Sequence, residues 1–84
     1  MKRIHYNLIF RPEEEGGFTV MVPSLPGCIS YGRNLIEAKK NIIDAIDGYI
    51  KSMIKHDELI PSDETNFITS LDYNISTTKK VSYA

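Results

Sequence analysis

The sequence has a single cysteine, Cys28, and no tryptophan. One thiol excludes an intrachain disulfide framework and supplies too few sulfur ligands for a structural zinc site. Charge of one sign is also missing: ten basic residues nearly cancel eleven acidic ones, for a net charge of −1. A generic clamp for nucleic acid needs a strong basic excess to neutralise phosphates, so that class is disfavoured. No apolar run approaches the roughly 20 residues that span a bilayer. Lys2 and Arg3 open the chain, but His5, Asn7 and Arg11 interrupt any signal-peptide core, so a cytoplasmic location is the expectation. Acidic residues are absent from Ile4–Phe10, Phe18–Val22 and Cys28–Tyr31, the stretches that read as strands. A hydrolase using metal ions needs carboxylates converging from such strands, and Asp72 alone, further along, cannot hold two metals. There is no phosphate-cradling glycine loop. Neither enzymatic activity nor a metal or other cofactor is expected.

What is present is ordinary soluble-domain composition, 42% apolar and 25% charged over 84 residues. That length builds one core, and a chain this short buries only about 60–65% of its unfolded surface. The first half alternates with period two. Ile4, Tyr6, Leu8 and Phe10 share one strand face, with Arg3, His5, Asn7 and Arg11 opposite. Pro12-Glu13-Glu14-Glu15-Gly16-Gly17 breaks the pattern, and paired glycines suit a hairpin. Phe18, Val20 and Val22 then oppose Thr19 and Met21, and Pro23 closes that strand. Leu25-Pro26-Gly27-Cys28 has the proline and glycine positions of a type II turn. A short third strand, about Cys28 to Tyr31, ends at Gly32.

The period then changes. Asn34 is a good N-cap and Glu37 nearly completes a capping box. A helix is predicted from Leu35 to about His56, with Leu35, Ala38, Ile42, Ala45, Ile46, Tyr49 and Met53 on one side. Ile36, Ile43, Ile50 and Ile54 widen this apolar sector to about 180°, where covering one sheet face needs little more than about 100°. The surplus predicts a homo-oligomer, a dimer or tetramer; an exposed strand edge is the alternative docking surface. The opposite side carries Glu37, Lys40, Asp44, Asp47, Lys51 and Lys55, a solvated face with Glu37–Lys40 and Asp47–Lys51 spaced for weak ion pairs. After the polar link Pro61–Asn66, the alternation of Phe67, Leu71, Tyr73 and Ile75 predicts a fourth strand. The fold class is therefore α+β in the order βββαβ: a three-stranded antiparallel meander, one long helix and a fourth strand. The domain spans residues 1–76, followed by a tail, 77–84.

Few side chains suggest chemistry. Cys28 has no base with a linking signature and reads as a small buried hydrophobe. His5 and His56 read as a surface residue and a complement to the helix dipole. The run Glu13-Glu14-Glu15 reads either as a soluble hairpin tip or as an anionic patch that steers a basic partner.

Taken together, Glu14-Glu15-Gly16-Gly17-Phe18, Val22-Pro23-Ser24-Leu25-Pro26-Gly27-Cys28, Gly32, Leu35-Ile36-Glu37-Ala38 and Ile60-Pro61 resemble the HicB-type antitoxin family. That family is marked by an acidic-Gly-Gly hairpin, a strand ending in proline, a leucine-proline-glycine-cysteine turn and a helix opening with Leu-x-Glu-Ala. The resemblance covers roughly Tyr6 to Pro61. It implies a partial ribonuclease-H-like βββαβ fold and a role in binding and neutralising a small basic HicA-type toxin that cleaves mRNA. The family commonly has Gly-Asp-Thr before the helix; Gly32-Arg33-Asn34 stands here, which keeps a cap and reverses a charge. Many members also carry a C-terminal DNA-binding domain, for which the residues after Pro61 leave no room, so this chain is expected to be a short form without direct DNA binding. Two other readings remain: an oligomeric module of the same fold without a toxin, and, least supported, a ribonuclease-H-like nuclease.

Overall fold

A computed structural model of the chain describes residues 3–64 and 69–76. Three short strands, β1 (Ile9–Pro12), β2 (Phe18–Met21) and β3 (Ile29–Gly32), form one antiparallel sheet in the order β1-β2-β3. The helix α1 (Leu35–Lys55) packs across it. The α+β class and the order of these four elements are those the residue pattern predicts.

The hairpin between β1 and β2 closes at the pair Pro12↔Phe18. Glu13 N–H donates to Gly17 O at 3.0 Å and Gly16 N–H to Glu13 O at 3.0 Å. The second turn is held by Cys28 N–H on Leu25 O at 2.9 Å, with Gly27 at φ +83°. That is the positive φ a type II turn demands of its third residue, which glycine adopts without a Cβ clash. Val22 N–H on Cys28 O then hands the chain from β2 into β3.

Period-two faces decide the core. Val20, Val22, Leu25, Cys28, Ala38 and Ile42 are buried, with Tyr6, Leu8, Phe10, Phe18, Ala45, Ile46, Tyr49, Ile50 and Met53 packed around them. Fully burying a Val, Leu or Ile side chain contributes about 1.5–3 kcal/mol, so the four largest, Leu25, Ile42, Val20 and Val22, carry much of the stability. Polar ties fix the helix on the sheet: Asn41 Nδ2 donates to Tyr31 O at 2.7 Å and the Tyr49 hydroxyl to Pro26 O at 2.7 Å.

The ends of α1 follow capping chemistry, with one shift. Asn34 Oδ1 accepts from Glu37 N–H at 2.8 Å. Glu37 does not complete the box on Asn34. Its carboxylate takes the Arg33 N–H and the Arg33 guanidinium, each nitrogen within 3.1 Å. That pairing holds the Glu37 carboxyl below its ordinary range and raises the Arg33 guanidinium. Glu37 is thereby tied to Arg33 rather than to the expected Lys40, while Asp47–Lys51 forms as expected at 2.9 Å. At the other end Asp57 N–H reaches Ile54 O and Glu58 N–H reaches Met53 O, the two bonds of a Schellman motif. Its left-handed position is filled by Asp57 at φ +55°. Glycine lacks the Cβ penalty there, so Asp57→Gly is expected to stabilise the protein by about 0.5–1 kcal/mol. Thermal unfolding should show a melting temperature higher by about 3–6 °C.

Three expected strands differ from the pattern. The ladder of the first begins only at Ile9, because β2 ends at Met21 and Val22-Pro23 leads into the turn, leaving residues 4–8 no strand to pair with among the described residues. Tyr6 and Leu8 keep the predicted face and pack on the core nonetheless. The third strand runs one residue later than predicted. For the fourth, Phe67 lies outside the described residues, as does the tail 77–84. Residues 69–76 carry no regular secondary structure and are exposed throughout. Alternation supplies a strand with a face, but a strand also needs an edge to join.

Candidate partner-binding surface

Among the described residues, two surfaces of this fold are apolar and uncovered. The first is the outer face of the sheet. Register places Ile9, Met21 and Ile29 side by side across all three strands, and Arg11, Thr19 and Tyr31 in the adjacent row. The apolar row stands 44%, 40% and 54% exposed, around a dip of about 230 Å³. The second lies at the flank of α1. Ile36, Ile43 and Ile54 are exposed there, as the width of the apolar sector predicts. A groove of about 460 Å³ runs between Ile43, Ile46 and Ile50 of the helix and Ile4, Tyr6 and Leu8.

The acidic hairpin sits at the end of the outer face, and its three glutamates are not equivalent. Glu13 Oε1 accepts from the Thr19 hydroxyl at 2.7 Å and from Arg11 Nε at 3.1 Å. These bonds, Thr19 first, hold its carboxyl below the ordinary range. Glu13 is therefore a hairpin brace, whereas Glu14 and Glu15 are exposed and carry the projecting charge. Gly16 and Gly17 form the tip. A Cβ on Gly17 would collide with the Tyr31 hydroxyl, which donates to Gly16 O at 2.9 Å.

The remaining motif residues are structural. Pro23 follows β2, Leu25 is fully buried, and Pro26 and Gly27 form the turn. Gly32 and Ala38 are buried against one another where β3 meets α1. Cys28 is buried and burial pushes its thiol pKa up, opposite to what a nucleophilic thiolate needs. His5 and His56 are exposed, and His56 Nδ1 lies 2.7 Å from Ser52 O in the last helical turn. Among the described residues no three or more His, Cys, Asp or Glu side chains converge as a metal site, and no helix is long and apolar enough to cross a membrane.

Sequence reasoning missed Asp63, a buried acid in the link after the helix. Its carboxylate accepts from Asn7 N–H at 2.9 Å and from the Ser24 hydroxyl, and its own N–H donates to His5 O at 2.9 Å. The Tyr6 hydroxyl adds a 2.6 Å bond to Pro61 O. This latch holds residues 5–7 where β2 has run out. Burial, then the Asp63 charge, then Cys28, push the Tyr6 phenol above its ordinary value. A raised native pKa means stability that is complete below the unfolded value of about 10 and lost as pH rises through the native one. Tyr6→Phe should cost about 1 kcal/mol at neutral pH through the lost hydrogen bond. It should also flatten the fall in stability above pH 10, measured by urea unfolding across pH 8–11.

The model of a family described as the HicB-like antitoxin of bacterial toxin–antitoxin systems matches residues 6–81. The chain belongs to the HicB-like antitoxin family. Relatives include a UPF0150 protein of Thermoplasma acidophilum, 45% identical over 64 residues, covering 76% of this chain and 93% of that one. A UPF0150 protein of Synechocystis is 35% identical over 60 residues, 71% of this chain and 76% of its own. An uncharacterised 14.9 kDa protein of Haemophilus phage HP1 is 44% identical over 45 residues, 54% of this chain and 34% of the phage protein.

Proposed function

We propose that this chain is the antitoxin of a type II toxin–antitoxin pair, which binds and neutralises a HicA-type mRNA-cleaving toxin in the cytoplasm and has no catalytic role of its own. The observation that carries the reading, beyond family membership, is the exposed row Ile9, Met21 and Ile29, with Glu14 and Glu15 on the hairpin beyond the adjacent Arg11, Thr19 and Tyr31 row. A ribonuclease presents positive charge to phosphates, so an inhibitor gains by offering carboxylates to the same surface. Affinity comes from the apolar row, and the exposed charges steer approach. The chain acts as a homo-oligomer, with the helix flank rather than the outer face joining its copies.

Co-expression with any small basic protein found encoded beside this chain tests the antitoxin reading. Rescue from toxicity is expected; a neighbour that is toxic alone and equally toxic beside this chain refutes it. Charge acts on rate: Glu14→Gln with Glu15→Gln should slow association several-fold, up to about 10-fold, at low salt, with much less effect at high salt. Glu13→Gln should leave the association rate unchanged and cost stability instead, because its carboxylate is spent inside the hairpin. Stopped-flow binding at two salt concentrations separates the two.

A further inference from the structure

The helix-flank groove has a free strand edge above it. Glu13 N–H bonds Gly17 O across the hairpin, and a strand alternates its main-chain direction residue by residue. Odd-numbered residues of β1 therefore turn their main-chain groups toward β2, and His5 O and Asn7 N–H continue on that side, toward Asp63. Tyr6, Leu8 and Phe10 turn theirs to the opposite edge. β1 is the outermost strand of the sheet, so among the described residues no strand covers that edge. Below it lie Ile43, Ile46 and Ile50.

The same chain carries a segment of matching shape without a place. Leu71, Tyr73 and Ile75 alternate along residues 69–76 and stand 85%, 79% and 49% exposed. Leu71 to Ile75 spans about 13 Å when extended, as does Ile4 to Leu8. Its single charge, Asp72, falls on the opposite face of such a strand. The Asp63 latch leads the chain out on the β2 side of residues 5–7, away from the free edge, which favours an acceptor on another molecule.

We propose that residues 69–76 of one copy add as a strand to the free edge of β1 in a second copy, seating Leu71, Tyr73 and Ile75 over Leu8, Ile43 and Ile50, and that the exchange is reciprocal. This rests on the homo-oligomer of the proposed function and names its interface. A C2 dimer satisfies both edges and both grooves at once. The outer sheet face stays open to the toxin.

Two measurements test it. Light scattering of the full chain should give a dimer or a multiple of it, and Leu71→Asp with Tyr73→Asp should give a monomer with unchanged helical circular dichroism, because both positions are exposed. Tyr73→Cys in one copy, co-expressed with Ile43→Cys or Ile50→Cys in a differently tagged copy, should form an intermolecular disulfide; buried Cys28 is the control thiol. An oligomer that survives the double aspartate variant overturns the strand exchange while leaving the homo-oligomer standing. An intramolecular disulfide alone, in chains carrying both cysteines, overturns it in favour of a segment that folds back on its own groove. A wild-type monomer that still rescues from the toxin removes both the oligomer and the exchange, but not the antitoxin reading.

Discussion

Gly32→Ala should remove at least about 3 kcal/mol of stability, a large share of the about 5–15 kcal/mol that holds a small domain together. Gly32 is the last residue of β3, buried under the first turn of α1. A Cβ there would meet the Ala38 backbone nitrogen, lie 2.5 Å from Ala38 Cα and 2.7 Å from the Glu37 carbonyl carbon. All three are backbone atoms of a hydrogen-bonded helical turn, so no rotamer change relieves the overlap. Relief requires lifting α1 off the sheet, which uncovers Ala38 and Ile42, two of the six buried core residues. Urea unfolding followed by circular dichroism should show the midpoint collapse, or no folded baseline at all. Gly48→Ala is the counterpart. An added Cβ meets nothing within 4 Å in the middle of α1, and helix propensity alone predicts a gain of about 0.5–1 kcal/mol. Equal stability of Gly32→Ala and wild type would show that β3 and α1 do not approach as described.

The contrast between these glycines marks what the sequence can reveal. Gly27, after a proline, and Gly16-Gly17, after an acidic run, announce turns by local rules, and the structure gives all three a positive φ. Period two separated Phe18, Val20 and Val22 from Thr19 and Met21 correctly, and period 3.6 with Asn34 as cap placed α1 to within a residue. Gly32 gave no local sign of close approach, since that depends on where α1 lands. Ladder length was equally hidden: alternation places Ile4 to Phe10 on faces but does not tell where β2 stops supplying partners. The site divides the same way. Three consecutive glutamates are indistinguishable by composition, and only the Thr19 and Arg11 contacts set Glu13 apart. The Asp63 latch was the largest omission. Its bonds to Asn7 and Ser24 join residues 56 and 39 positions apart, a separation at which no periodicity or spacing rule operates.

Asp63→Ala is expected to cost about 2–4 kcal/mol. Hydrogen bonds to a charged group contribute about 1.5–3 kcal/mol each, and among the described residues the carboxylate accepts from Asn7 N–H and the Ser24 hydroxyl. Removing it strands the part-buried Asn7 N–H, which then bears its desolvation cost with no acceptor. Asp63→Asn keeps one oxygen for Asn7, and the Ser24 hydroxyl can rotate to accept from the amide, so about half of the loss should return. Ser24→Ala alone should cost about 1 kcal/mol, and the Asp63–Ser24 double-mutant cycle should show coupling of at least about 1 kcal/mol. Hydrogen exchange localises the effect. Protection at Asn7 should fall strongly in Asp63→Ala and survive in Asp63→Asn, while core amides such as that of Val20 fall only by the global loss of stability. Residues 5–7 also form one wall of the helix-flank groove through Tyr6, so the proposed helix-flank interface predicts that the alanine variant dissociates to monomer at lower dilution than Asp63→Asn. Uniform loss of protection across the whole sheet, with no excess at Asn7, would mean that Asp63 supports the core at large rather than latching the entering strand.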